Sequence, residues 1–170
     1  MPRKPRHEGP GAVHHVFARG VDRCAIFRDD QDRQIYLDLL GEVVRRFKWD
    51  CLSYCLMGNH THLLVRTPEP TLGRGMHRLQ GFYAQDFNER HGRIDHLFQG
   101  RFGSSRIWTP DKLRKTADYI ADNPVVAGLC RSAADWPWSS QAVLVTGDAP
   151  RWLARPARLL AVQLQLAADS

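Results

Sequence analysis

The sequence is short of several things, and each shortage excludes a class of protein. No stretch of its 170 residues approaches the roughly 18 consecutive apolar residues that a membrane-spanning helix needs, which argues against an integral membrane protein. The N-terminal MPRKPRHEGP is basic but lacks the apolar core of a secretory signal. Cysteine is scarce. The four present, Cys24, Cys51, Cys55 and Cys130, form neither a CxxC pair nor a zinc-like spacing, and they read as small buried apolar residues of a reducing compartment. Together these features predict a cytoplasmic protein. There is no long internal repeat and no low-complexity tract. Lysine is also nearly missing: the 24 basic residues, against 18 acidic ones and a formal charge of +6, are almost all arginine, whose planar fork suits phosphate oxygens. That charge permits a nucleic-acid partner without requiring one.

Apolar residues, at 43%, and charged residues, at 25%, suffice for one ordinary domain with a core that needs no disulfides. Residues 1–12 read as a flexible basic arm, 13–148 as the folded domain, and 149–170 as a C-terminal tail. The chain looks like a strand from Val13 to Gly20. Over 30–47, Tyr36, Leu39, Leu40, Val43 and Phe47 make one helical stripe, with Asp29 or Asp30 as N-cap. Residues 50–57 and 60–66 alternate as strands around Gly58-Asn59, a hairpin. A second helix spans about 71–90, with Leu72, Met76, Leu79, Tyr83 and Phe87 on one face. Residues 91–95 are loop and 97–108 extended, interrupted by Gly100 and Gly103. Thr109-Pro110-Asp111 starts a third helix, predicted to end before Pro124. A short amphipathic helix is expected over 156–168. The first six elements match a split βαβ, ferredoxin-like α+β sheet with its helices on one face, and the third helix is an addition to it.

Two constellations carry chemistry. In Asn59-His60-Thr61-His62, the two histidines share one strand face about 7 Å apart along the chain and can converge on a divalent ion, with Thr61 on the opposite face. Two ordinary histidines on a solvated face would have the same pattern. In the third helix Lys115, Tyr119 and Asn123 stack at four-residue intervals, with Tyr119 off the core-facing line of Leu113, Ala117 and Ile120. Tyr119 can serve as a nucleophile, with Lys115 stabilising the phenolate, or as an amphipathic residue at the edge of the core. One of His14 and His15 must alternate toward the face of the histidine pair.

These features, with the blocks HHVFARGVDRCAIF, LMGNHTHLLV, LQGFYAQDFNERHG, HLFQGRF, DYIADNPVVAGL and DWPWSS in that order, resemble the REP-associated tyrosine transposases of the HUH single-strand transposase group. The resemblance runs from about Val13 to Ser140. It implies a metal-dependent enzyme that cleaves and rejoins single-stranded DNA at palindromic hairpin repeats, acting as a monomer or homodimer in the nucleoid. By the same resemblance, His60, His62 and Asn123 hold Mg²⁺ or Mn²⁺, and Tyr119 is the nucleophile that forms a 5′-phosphotyrosine. The residue between the histidines is usually bulky and apolar in the family, and Thr61 departs from that.

Arg19, Arg23, Arg28, Arg74, Arg78, Arg90, Arg93 and Arg101 are candidates to line a DNA groove. Phe82, Phe98 or Trp108 could stack unpaired bases, and Arg3, Lys4 and Arg6 could reach into a hairpin groove. Each of these also has an ordinary reading, as solvated charge, core aromatic or inert arm. Two alternatives to the transposase reading stand: a non-catalytic hairpin-binding protein, and a metal-dependent phosphoesterase that uses water. The tail is expected to regulate access to the site, so that deleting 150–170 would raise cleavage.

Overall fold

The computed structural model describes residues 8–169. The arm residues Arg3, Lys4 and Arg6 lie outside them. The elements are β1 (Ala12–Arg19), α1 (Asp30–Phe47), β2 (Asp50–Leu56), β3 (His60–Thr67), α2 (Leu72–His91), β4 (Gly103–Ile107), α3 (Pro110–Val126), α4 (Ser140–Thr146) and α5 (Pro156–Ala168), with short 3-10 turns at 21–23 and 133–135. The sheet order is β2-β3-β1-β4, antiparallel throughout. Two split βαβ units therefore interleave, as in a ferredoxin-like sheet.

Strand alternation divides the molecule into two cores. Val16, Leu63 and Val65 turn toward α1 and α2, where Tyr36, Leu40, Met76, Tyr83 and Phe87 are wholly buried. Val13, Leu64 and Ile107 turn the other way, against Leu113 and Ile120 of α3 and Val162 of α5. Thr61 belongs to the first face, buried, with its hydroxyl 3.4 Å from that of Tyr36. A polar residue is accommodated there because it has a partner.

Local signals set most helix ends. Asp29 caps α1 by accepting from Asp32 N at 2.8 Å, and Thr109 caps α3 by accepting from Lys112 N at 3.2 Å. The first turn of α2 is capped from a distance: Glu8, expected in the free arm, accepts from Gly73 N at 3.0 Å, and β1 itself begins inside that arm at Ala12. Two boundaries differ from expectation. The helix α3 does not stop before Pro124 but carries it buried in its last turn. It ends at Gly128, which is left-handed (φ 71°), with Gly128 N bonded to Val125 O and Leu129 N to Pro124 O. These are the two bonds of a Schellman motif, and they satisfy the carbonyls of Pro124 and Val125. The extended stretch 97–108 yields strand only over 103–107. Phe98 makes a single bridge to Gly20, and Phe102 turns into the core before the ladder starts. At Gly103 a Cβ would lie 2.2 Å from the Phe17 ring, so only glycine lets that ring lie across β4. The helix α4 carried no clear sequence pattern. Among the described residues no helix is long and apolar enough to cross a membrane.

Candidate active site

The site forms where the start of β3, the end of β1 and the second half of α3 meet. Antiparallel register sets Phe17 opposite His62 and Arg19 opposite His60. Period-two alternation turns both histidines toward α3. The helix then brings two side chains one turn apart onto them. Asn123 Oδ1 lies 3.4 Å from His60 Nε2, and the Tyr119 ring stands edge-on to His62, with centroids 5.4 Å apart. His60 and His62 are themselves 5.1 Å apart, centroid to centroid. Of the two candidates on β1, His15 is the one that joins the site. Its Nε2 is 3.0 Å from His62 Nδ1, and its ring meets Tyr119 edge-on at 5.9 Å. His14 faces the first core. A pocket of about 350 Å³ opens beside the pair, lined by Phe17, Ala18, Arg19, His60, His62 and Gln99.

The histidines are held neutral. Burial, followed by the charges of His15, His60 and Arg19, pushes the His62 imidazolium down to about 3. Burial also lowers His60, against an opposing contribution from the Asn123 contact and with Arg19 adding to it, and lowers His15, with Lys112 adding to the effect. A neutral imidazole offers a lone pair to a cation. Two imidazoles and an amide oxygen facing one another fit a divalent ion, although this donor set does not by itself choose among metals. Tyr119 is 53% exposed, so its phenol can meet a macromolecular substrate.

Lys115 is directed elsewhere. Its ammonium pairs with Asp111 at 2.8 Å, one turn back along α3, and Lys112 is the lysine that acts on His15. The arginines separate into groups. Arg19 lines the pocket, and Arg23 is exposed in the adjoining turn. Arg101 borders a larger groove of about 1090 Å³ between α2 and the 94–102 loop, which touches the pocket through Gln99. Arg93 is half-buried, with Nη1 4.0 Å from Cys24 Sγ. Arg74 and Arg78 lie on the opposite face of the sheet, Arg74 over the Phe47 ring and Arg78 paired with Glu42 at 2.6 Å. Arg28 lies over the Phe87 ring, and Arg90 is bound to Asp29 and Asp32. Of the aromatics, Phe82 and Trp108 stay exposed with Arg78 and Arg106 over one ring face of each, while Phe98 packs on the core. The sequence gives no sign of Phe17 at the site, and it gives Asn59 a place only in the hairpin turn; a lone aromatic or amide carries no periodic signal of such a role.

A second cluster, Asp29, Asp32 and His91, is close enough to hold a cation. Its carboxylates are already engaged: Asp29 caps α1, Asp32 accepts from Arg28 N and His91, and Arg90 binds both. That is the pattern of an ion-pair network built around the buried Asp32, joining the start of α1 to the end of α2.

A family model and one solved structure agree with this architecture. The family model for IS200-like transposases matches residues 11–123, and the chain belongs to that family of DNA-processing enzymes. Among solved structures, a REP-associated tyrosine transposase bound to a REP hairpin shares the fold with a TM-score of 0.72. It is 21% identical over 91% of this chain and 92% of that one. A protein described as a candidate transposase from Deinococcus radiodurans R1 has a TM-score of 0.49 at 14% identity, over 75% of this chain and 98% of that one. No curated protein matches the sequence at a significant level.

Proposed function

We propose that this protein cleaves and rejoins single-stranded DNA at palindromic hairpin repeats, with Tyr119 as nucleophile and His60, His62 and Asn123 as the holders of Mg²⁺ or Mn²⁺. The observation that carries the reading is the meeting of α3 with β3: Tyr119 against His62, and Asn123 one turn on at His60 Nε2. Membership of the transposase family supports the class of substrate, and the hairpin-bound relative of the same fold supports the hairpin.

The chemistry follows from the residues. A phosphodiester is an anion and resists attack, and a bound divalent ion would supply charge neutralisation at the scissile phosphate. Arg19, at the pocket wall, offers the phosphate a fork of donors. The Tyr119 oxygen attacks phosphorus and loses its proton to water, and the 3′ oxygen leaves and takes up a proton. The products are a 5′-phosphotyrosine and a free 3′-hydroxyl. Because the ester bond is exchanged rather than hydrolysed, the same site can run the step backward and join strands without ATP. Neutral imidazoles are required throughout as lone-pair donors, and burial keeps them so.

The test uses labelled single-stranded hairpins made from the palindromic repeats of the host genome, incubated with Mn²⁺ or Mg²⁺ and run on a denaturing gel. A covalent protein–DNA adduct is expected, and it should disappear in Tyr119→Phe and with a chelator. Cleavage without adduct would establish water as the nucleophile instead. Binding without cleavage of the correct repeats would make this a recognition protein.

A further inference from the structure

Asn59, in the turn between β2 and β3, has both ends of its amide committed. Nδ2 donates to the carbonyl of Arg23 at 3.1 Å, and Oδ1 stands 2.7 Å from Nδ1 of His60. A backbone carbonyl only accepts, so the Asn59 nitrogen must face Arg23, which leaves the oxygen for His60. That oxygen also only accepts, so His60 carries its proton on Nδ1. Nε2 then holds the lone pair, 3.4 Å from Asn123 Oδ1, a second acceptor. Two acceptors turned toward each other are complemented by a cation placed between them.

We propose that Asn59 is the positioning residue of the metal centre: it locks His60 in the Nδ1–H form, so that Nε2 is presented to a divalent cation together with Asn123. The inference rests on the metal-centre reading of His60, His62 and Asn123 given above. Outer partners of this kind fix the tautomer and ring plane of a ligating histidine.

The anchor that Asn59 grips is itself unusual. Arg23 (φ 59°) follows Asp22 (φ 49°), two consecutive non-glycine residues in the left-handed region, which L side chains disfavour. Backbone bonds hold this turn in place: Gly20 N to Asn59 O at 2.9 Å, Cys24 N to Val21 O at 2.8 Å, and Ile26 N to Gly58 O at 3.0 Å. The turn that bears Arg23 and the turn that precedes His60 are thus laced together, and Asn59 is the side chain that joins them to the imidazole. A strained conformation maintained by this many partners beside a site is the arrangement expected where geometry serves function.

The experiment measures Mn²⁺ binding to the full chain by electron paramagnetic resonance, without DNA, for wild type, His60→Ala, Asn59→Leu and Asn59→Asp. The imidazole ¹⁵N shifts of the metal-free proteins report the tautomer of His60. Wild type should bind and His60→Ala should not. Asn59→Leu, nearly the same size but without polar atoms, should lose about tenfold or more in affinity and release His60 from the Nδ1–H form. Asn59→Asp keeps an acceptor for Nδ1, loses the bond to Arg23 and adds a negative charge, so it should keep the Nδ1–H tautomer and bind Mn²⁺ at least as tightly as wild type. Asn59→Leu binding like wild type would overturn the inference. So would Asn59→Asp falling as far as Asn59→Leu, because Asn59 would then merely tether the turn. Wild type that binds no Mn²⁺, or binds it equally well as His60→Ala, would overturn the metal-centre reading itself and this inference with it.

Discussion

His14 and His15 are adjacent in sequence and serve different cores. His15 points to α3 and meets His62 at 3.0 Å. His14 points to the α1–α2 layer, only 2% exposed, with no partner for Nε2. Burial first, and the Arg106 charge second, lower the His14 imidazolium to about 4 from an ordinary value near 6.5. The folded state therefore refuses a proton that the unfolded chain accepts. The stability that follows is fully present above pH 6.5 and is lost as the pH falls toward 4. The lost amount is at most about 3 kcal/mol. In urea melts across that range, the unfolding free energy of wild type minus that of His14→Leu should decrease with falling pH. A difference that stays flat would contradict the assignment. His60, His62 and His15 also titrate low, which is why the comparison with the variant, rather than the wild-type curve alone, isolates His14.

At the scale of the element, α3 carries the candidate chemistry in its second half and its stability signals at both ends. Thr109→Ala removes the N-cap and should cost about 1 kcal/mol. Gly128→Ala puts a Cβ at φ 71° and should cost about 1 kcal/mol as well. Their effects on chemistry should differ. Gly128 closes the turn that begins at Pro124, the residue after Asn123, so loosening it moves a candidate ligand. Thr109 lies more than two turns away from Tyr119. Adduct formation with a hairpin substrate should therefore fall severalfold in Gly128→Ala and stay near wild type in Thr109→Ala, at similar losses in the urea midpoint. Equal effects on the adduct would mean that the helix responds as one rigid piece.

For the molecule as a whole, the decisive segment is the one after Ala149. It crosses the edge of β2 and enters both cores. Leu153 is 2% exposed in the first, Trp152 lies so close to α1 that a Cβ at Gly41 would stand 2.6 Å from its ring, and Val162 is buried in the second. Ala154 N bonds to Cys51 O at 2.9 Å, and Arg158 grips Asp50 at 2.8 Å. Asp50 pairs in register with Arg66, at the end of the sheet remote from His60. No described residue of the tail lines the 350 Å³ pocket. The expectation that removing 150–170 uncovers the site is therefore replaced by another. Each buried apolar side chain contributes roughly 1.5–3 kcal/mol, so truncation should lower the thermal midpoint steeply and reduce cleavage. Arg158→Ala, which removes one exposed pair, should cost no more than about 1 kcal/mol. A truncated chain that melts like wild type and cuts faster would restore the regulatory reading.

Local chemistry was legible in the sequence wherever the cause was local. The 3.6-residue stripe of α1, the alternation of β2 and β3, the Asp29 and Thr109 caps and the helix over 156–168 all follow from propensity and periodicity, and the structure has them. The shared face of His60 and His62 and the four-residue step from Tyr119 to Asn123 are also properties of the chain alone. That the helix pair should lie over the strand pair is not such a property, and the sequence pointed to it only through family resemblance.

Tertiary structure decided the rest, because the groups involved are distant in the chain. It selected His15 over His14 for the site through the register of β1 on β3. It directed Lys115 to Asp111, Arg78 to Glu42 and Arg90 to Asp29 and Asp32, partners that a charge count cannot assign. It kept Pro124 inside a helix, buried in the last turn of α3 ahead of a Schellman turn. And it set Asn59 between a strained turn and a histidine, a contact across 36 residues that exists only once β1 and β3 are paired.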